Sequence, residues 1–409
     1  MFKNISGSRL ITAAVFFCTV PFLAAQVPAV PAAAAAPLQK LTGQLNLHEK
    51  AAQVLMVNIP GSKTVSTRIA EAFKGCVPGA VLLFGYNMAD TPEAVRSFLD
   101  SGYTAFQEAA EKTGHLFIPP LYALDNEGGL VYRTRRITAP LPAAEEIGTR
   151  FSVDQTRRLS LLLGQQMKEL GLHLNLAPVA EPQTAENAAV LSTRNYSADP
   201  GRAAAYAAAA VQGMQEGGVS AAVKHFPGNG SADLHEKRAE LTVDRETLLR
   251  RYGAPFRPAF ETGAAAVLVS HITVPALEAV PFCFSAQGIE LLRKDVGFSG
   301  LVITDDIAMK ALQESGTAAE NAVRAIAAGC DMVMCSVQQI YPLIAAIAEK
   351  AAADSAFAKR LDEAVLQVLK AKVRAGIIDA AGAYILHHPD WERFRQAKAE
   401  AARLVKQHE

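Results

Sequence analysis

Between about residues 40 and 380 the chain repeats one pattern: a short apolar run, a polar turn, then a stretch with helical spacing. Eight such runs lie near 52–58 (AQVLMVN), 79–85 (GAVLLFG), 121–126 (LYALDN), 172–179 (LHLNLAPV), 220–226 (SAAVKHF), 265–271 (AAVLVSH), 300–305 (GLVITD) and 331–336 (DMVMCS). The segments between them, such as TPEAVRSFLDSGYTAFQEAAEK (91–112) and PGRAAAYAAAAVQGMQEGG (200–218), carry helical periodicity. Eight strand–helix units predict an α/β chain folded as one (β/α)8 TIM-type barrel, spanning residues 40–380. An open doubly wound sheet is the alternative. It calls for a glycine-rich phosphate turn after the first strand, where this chain reads NIPGSKT (58–64).

In a barrel, chemistry belongs at the C-terminal ends of the strands. The third run ends in Asp125, Asn126 and Glu127, followed by Gly128 and Gly129, and the fourth ends near Glu181. The fifth ends in Lys224 and His225, the sixth in His271, and the seventh in Asp305 and Asp306. Ionisable groups at five successive strand ends would converge on one pocket and perturb each other's protonation. By residue type alone they allow three chemistries. Paired carboxylates suit glycoside hydrolysis, histidines with aspartates suit a metal hydrolase, and Lys224 suits Schiff-base chemistry. Two features weigh against the last two. There is no HExxH helix and no His-x-His on the first strand, and a lysine among carboxylates keeps its charge.

Composition limits the partners. The 409 residues carry 40 basic and 40 acidic side chains, a balance that argues against a general nucleic-acid binder. Lys3 and Arg9 precede an apolar run from Leu10 to Ala25 that contains Pro21. That run falls short of the roughly 20 residues of a membrane span and reads as a signal peptide, residues 1–25. Residues 26–39 read as a Pro/Ala linker and 381–409 as a C-terminal helical extension. The expected product is exported, periplasmic or secreted, with no stable membrane span after processing. Phe16 and Phe17 before Cys18 are too bulky for a lipoprotein site. Cys76, Cys283, Cys330 and Cys335 form no CxxC pair or zinc-type spacing and are expected to be free, inert thiols.

Several motifs, in order along the chain, resemble glycoside hydrolase family 3. VKHFPGNG (223–230) is similar to its KHFPGHG signature, ITDDIAMKAL (303–312) to its nucleophile segment, and ALDNEGG (123–129) to its D-Q-E-G-G motif. STRNYSADP (192–200) and LNLHEKAAQVLMVNIPG (45–61) also match family segments, so the resemblance covers about residues 42–375. It points to the single-barrel β-N-acetylglucosaminidase branch, which acts on peptidoglycan fragments. Family β-glucosidases usually carry a second α/β domain after the barrel. Here only about 70 residues follow the eighth run, mostly with helical pattern, so the proton donor is expected from the barrel's own loops.

The resemblance implies roles residue by residue. Asp305 would be the nucleophile, with Asp306 in support; Asp125, Arg194, Lys224, His225 and His271 would bind the sugar. An Asp-x-His dyad after the KHFPG turn would supply the acid/base, and Asp233 and His235 fill it here. This chain departs from the pattern in two ways. Asn229 stands where the family has histidine, and the dyad lies two residues closer to the turn. Counting back from Leu241 would put Glu236 and Arg238 in the dyad, but arginine cannot donate a proton. The implied function is a retaining β-N-acetylhexosaminidase acting on an oligosaccharide or muropeptide without metal or organic cofactor. A family β-glucosidase or β-xylosidase, and a catalytically silent sugar-binding barrel, are the alternatives.

Overall fold

The computed structural model describes residues 32–230, 238–336 and 340–408. Eight parallel strands form one sheet: β1 (Leu55–Asn58), β2 (Ala80–Leu83), β3 (Leu121–Leu124), β4 (Leu174–Asn175), β5 (Ser220–Phe226), β6 (Ala266–Val269), β7 (Leu301–Thr304) and β8 (Val333–Cys335). Strands β1 to β7 are neighbours in chain order, and β8 pairs with β1. A parallel bridge between Ile303 and Met332 joins β7 to β8 and closes the ring. This is the (β/α)8 barrel that the repeated pattern predicts. Nearly every strand residue is buried, because helices cover the outside and side chains fill the inside.

β4 is shorter than its apolar run suggests. Leu176 still donates its backbone N–H to Leu124, but Pro178 has no N–H and interrupts the ladder. The chain rejoins β5 beyond it, where Val179 bridges Lys224.

The helices start and stop where their sequences say. Thr91 caps Pro92–Thr113 through Ala94 N–H, and Gly114 ends it at φ +73°. Ser152 and Gln155 form a capping box on Val153–Leu170. That helix packs closely on Pro200–Glu216, whose alanines and glycines permit the approach. A Cβ on Gly213 would overlap the Arg157 carbonyl.

The two ends of the described chain dock on the barrel. Trp391–Lys406 lies against Val153–Leu170, burying Phe394, Ala397, Ala401 and Val405. The expected leader, residues 1–25, lies outside the described residues. Of the expected linker, residues 26–39, those from Ala35 onward are helical. A helix begins at Ala35 and runs to Gln44, because Leu38 and Leu41 give it one apolar face, which packs on Ser355–Arg374. Among the described residues no helix is long and apolar enough to cross a membrane. The four described cysteines are buried free thiols, and burial pushes Cys76 up to about 11 and Cys330 up to about 12.

The β7–β8 junction leans on one buried carboxylate. Asp331, 1% exposed, accepts Val302 N–H at 3.0 Å and salt bridges from Arg293 and Arg360, each at 2.6 Å. Removing it strands two cations beside the ring closure. Asp331→Ala should therefore lower unfolding free energy by about 3–5 kcal/mol in a urea titration; an unchanged midpoint would refute this account.

Candidate active site

The strand ends carry the site. Just past β3, Asn126 fixes the turn: its Oδ1 accepts Arg133 N–H at 2.8 Å and its Nδ2 donates to Thr134 Oγ1 at 2.7 Å. Asn126 and Asn175 exchange reciprocal bonds of 2.9 and 3.0 Å that tie β3 to β4. A short hairpin, Asn126–Gly128 with Val131–Tyr132, follows. Gly128 sits at φ +102°, and a Cβ there would strike the Pro142 carbonyl. The two glycines thus let the hairpin fold back over the barrel mouth, with Asp125 and Glu127 both on its inner side.

Lys224 is the centre of the polar cluster. Its Nζ lies 2.6 Å from Asp125 Oδ1 and 2.6 Å from Glu127 Oε1, at 3% exposure. Arg194 grips Glu127 with two hydrogen bonds, Nε to Oε2 at 2.7 Å and Nη2 to Oε1 at 2.9 Å. Burial alone would raise the Glu127 carboxyl, but the Lys224 charge and the Arg194 fork hold it down at about 2. Burial likewise opposes the charge on Lys224, yet Asp125 and Glu127 raise its pKa. Lys224 and Arg194 are therefore cations and Glu127 an anion at neutral pH.

β5 ends in a register shift against β6 between Val223 and Phe226. Bulges near sites re-aim side chains, and here both Lys224 and His225 reach the cavity; the peptide between them is cis. His225 is clamped on both ring nitrogens. Nδ1 lies 2.9 Å from Glu181 Oε1, and Nε2 lies 3.3 Å from Arg194 Nη2. Glu181 Oε2 also accepts Asn229 N–H at 2.9 Å, which fixes the turn that follows β5.

Across the mouth, β7 delivers Asp305 and Asp306. Asp305 donates its N–H to Val269 O at 2.9 Å, and its Oδ1 accepts Asp306 N–H at 2.8 Å. Asp306 Oδ1 accepts Ala308 N–H at 2.9 Å and Ser336 N–H at 3.1 Å, so it braces the loop and the end of β8. These groups surround a cavity of about 290 Å³. Its apolar floor includes Leu82, Leu268 and Met334, and Phe84 and Val131 lie at its side.

The structure brings Asp125, Arg194, Lys224, His225 and Asp305 onto this one cavity. His271 is placed otherwise. It is 1% exposed and does not line the cavity; Nε2 lies 3.0 Å from the Asp306 carbonyl and Nδ1 3.2 Å from Cys283 Sγ. Its ring meets the Asp306 carbonyl, on the backbone side of that residue. Asp233 and His235 lie outside the described residues.

Three further residues join the cluster, two of them at strand ends. Glu127 and Glu181 are visible there as carboxylates, but only the fold pairs them with Arg194, Lys224 and His225. Arg133 carries no sequence signal beyond its place after the double glycine. Its Nη2 lies 4.0 Å from Asp125 Oδ2, and its guanidinium stands over the Phe84 ring at 5.8 Å.

A small cavity lined with fixed carboxylates and fixed cations matches the hydroxyl groups of one sugar ring, which both donate and accept. The barrel and this cavity define a glycoside hydrolase, an enzyme that breaks O-glycosyl bonds. Residues 46–371 match the Glycosyl hydrolase family 3 N terminal domain, and the chain belongs to that family. A beta-hexosaminidase of Xylella fastidiosa (strain M23) is 32% identical over 340 residues, 80% of this chain and 97% of the relative. Among solved structures, a beta-N-acetylhexosaminidase from Beutenbergia cavernae superposes with a TM-score of 0.72 at 30% identity, covering 81% of this chain and 99% of the other. A family 3 beta-N-acetylglucosaminidase from Paenibacillus sp. str. FPU-7 gives 0.76 at 29% identity, covering 89% and 68%.

The depressed Glu127 carboxyl makes a pH prediction. A group held below its ordinary value stabilises the fold above that value and loses the contribution as pH falls through its folded value. For Glu127 the window runs from 4.5 down to about 2. The stability difference between wild type and Glu127→Gln, read from urea midpoints, should be largest above pH 5 and shrink steadily towards pH 2. A difference that stays constant over that range would contradict the assignment.

Proposed function

We propose that the protein is an exported, retaining β-N-acetylhexosaminidase that removes terminal N-acetylglucosamine from peptidoglycan-type or chitin-type fragments. The observation that carries this reading is Asp305 on the same cavity as the Asp125–Lys224–Glu127–Arg194 cluster. The cluster would hold the hydroxyls of the terminal ring, while Asp305 meets its anomeric carbon. Several relatives and solved structures similar to this chain are hexosaminidases or N-acetylglucosaminidases by name, which supports the acetamido sugar. The apolar run at residues 10–25 supports export, with residues 1–25 as the leader.

In the first step an Asp305 oxygen bonds to the anomeric carbon as the bond to the leaving oxygen breaks. His235 gives that oxygen its proton, and Asp233 orients the imidazole. In the second step water attacks the same carbon, returns a proton to His235 and releases Asp305. Two displacements at one centre retain its configuration. Both chemical events are carried by protein groups, so the scheme draws on no cofactor. His225 is not the acid in it, since Glu181 and Arg194 occupy both ring nitrogens.

Hydrolysis of para-nitrophenyl N-acetyl-β-glucosaminide, measured beside the glucoside, tests the scheme. Wild type should turn over the acetamido sugar preferentially. Asp305→Ala should abolish turnover, and His235→Ala should slow it about 10²–10⁴-fold. Full activity in His235→Ala would move the acid/base elsewhere on that loop. Preference for the glucoside would replace the hexosaminidase reading with a glucosidase.

A further inference from the structure

Ser270 and His271 follow β6 and reach different neighbours. Ser270 Oγ donates to the Gly228 carbonyl at 2.9 Å, in the turn after β5. His271 reaches the turn after β7, where its Nε2 lies 3.0 Å from the Asp306 carbonyl oxygen. We propose that His271 is a positioning residue for Asp305, and that the buried thiol of Cys283 sets the tautomer in which it works. The inference rests on the reading of Asp305 as the nucleophile.

A carbonyl oxygen only accepts, so Nε2 carries the ring hydrogen. Nδ1 of the neutral ring is then an acceptor, and Cys283 Sγ lies 3.2 Å from it. Burial holds the Cys283 thiol well above its ordinary range, so it keeps the hydrogen that Nδ1 takes. A helical turn, Phe282–Phe284, brings the thiol there, and Phe282 N–H ties that turn to the Ile272 carbonyl at 2.8 Å. Cys283 is fully buried and His271 is 1% exposed, so bulk water competes little for either contact. Hydrogens thus run one way, from the thiol to Nδ1 and from Nε2 to the Asp306 carbonyl.

The turn after β7 is tied to both neighbouring strands. On the β6 side, Asp305 N–H donates to Val269 O at 2.9 Å, and His271 holds the next residue. On the β8 side, Ile307 N–H donates to Met334 O at 3.0 Å. The Asp306 carbonyl also accepts Met309 N–H at 3.1 Å, within the turn. The Asp306 N–H gives Asp305 Oδ1 its 2.8 Å contact, so the direction of the Asp305 carboxylate follows the orientation of residue 306. Without the imidazole, residue 306 keeps its ties to β8 and loses the one from His271. A misplacement of about 1 Å at a reacting atom can cost about a hundredfold in rate. His271 does not line the cavity, so its loss acts on the rate. Sugar affinity belongs to the Asp125–Lys224–Glu127–Arg194 cluster, which does line it.

The test is hydrolysis of para-nitrophenyl N-acetyl-β-glucosaminide by the full chain, beside the Kd of N-acetylglucosamine. The side-chain nitrogen of glutamine reaches where Nε2 lies, whereas that of asparagine reaches only as far as Nδ1. His271→Asn should therefore lower kcat by about ten- to a hundredfold with the sugar Kd unchanged, and His271→Gln should restore most of it. Cys283→Ala, which leaves Nδ1 without a donor, should lower kcat about fivefold, and Cys283→Ser, which keeps one, should not. A purely structural histidine would lower the urea midpoint and leave the kcat of the folded protein unchanged. That outcome would overturn the proposal, as would equal kcat in His271→Asn and His271→Gln, or a fall in kcat matched by a fall in sugar affinity. Should His271→Asn not fold, equal kcat in Cys283→Ala and Cys283→Ser refutes the relay. The two readings fail separately. Turnover abolished in Asp305→Ala but intact in His271→Asn defeats only this inference. Preference for the glucoside replaces the hexosaminidase reading, while the same kcat comparison on the glucoside still decides the role of His271.

Discussion

The bridge from Lys224 to Asp125 and Glu127 is the interaction on which the site depends. Removing an ion from water carries a penalty of several kcal/mol, so a buried lysine needs partners close at hand. Here two carboxylates lie at 2.6 Å, and Arg194 binds the second of them from the other side. The lysine cation between them offsets the repulsion of two neighbouring carboxylates. Such a cluster contributes little net stability, since its attractions are offset by desolvation. What it supplies is position: four charged groups whose directions are set before any sugar arrives.

The elements around the cluster serve that fixing. Asn126 and Asn175 lock the end of β3 to β4, and the double glycine turns the hairpin back so that Glu127 meets Arg194. Glu181 anchors His225 and the following turn together. Each carboxylate is thus tied to a residue on a different strand end, so the mouth of the barrel is cross-linked by the same groups that would bind the substrate.

Much of this was legible in the sequence, for physical reasons. Strands covered on both faces are rich in apolar residues, so all eight fall within the short runs that the sequence repeats, and the charged residues near their ends mark the C-terminal mouth of the barrel. Asp125, Lys224, His225 and Asp305 needed only that rule, and Arg194 needed the motif around it. What was illegible depends on contacts between segments distant in sequence. Nothing local distinguishes Glu127, buried between two cations, from a solvated acid. His271 ends its run as Lys224 does, yet it turns behind the Asp306 backbone instead of into the cavity. The helix over Ala35–Gln44 was hidden because the alanines and proline at its start suit a flexible linker equally well, and docking of Leu38 decides between them.

The two adjacent aspartates show how the fold divides labour. The sheet closes between β7 and β8 through a β-bridge between Ile303 and Met332, and backbone hydrogen bonds donated by Thr304, Ile307, Asp331 and Met332 cross the seam. Side chains add to this pairing. Asp331 takes Val302 N–H and two arginines at one end, Thr304 Oγ1 takes Met334 N–H in the middle, and Asp306 takes Ser336 N–H at the mouth. Asp306 is therefore committed to the barrel itself. Asp305, one residue earlier, has its backbone in the β6 pairing and its carboxylate turned by Asp306 N–H towards the cavity. A carboxylate that lines a cavity keeps its direction when backbone donors fix it. The adjacent carboxylates thus divide the work: Asp305 lines the cavity with its backbone paired to β6, while Asp306 braces the end of β8.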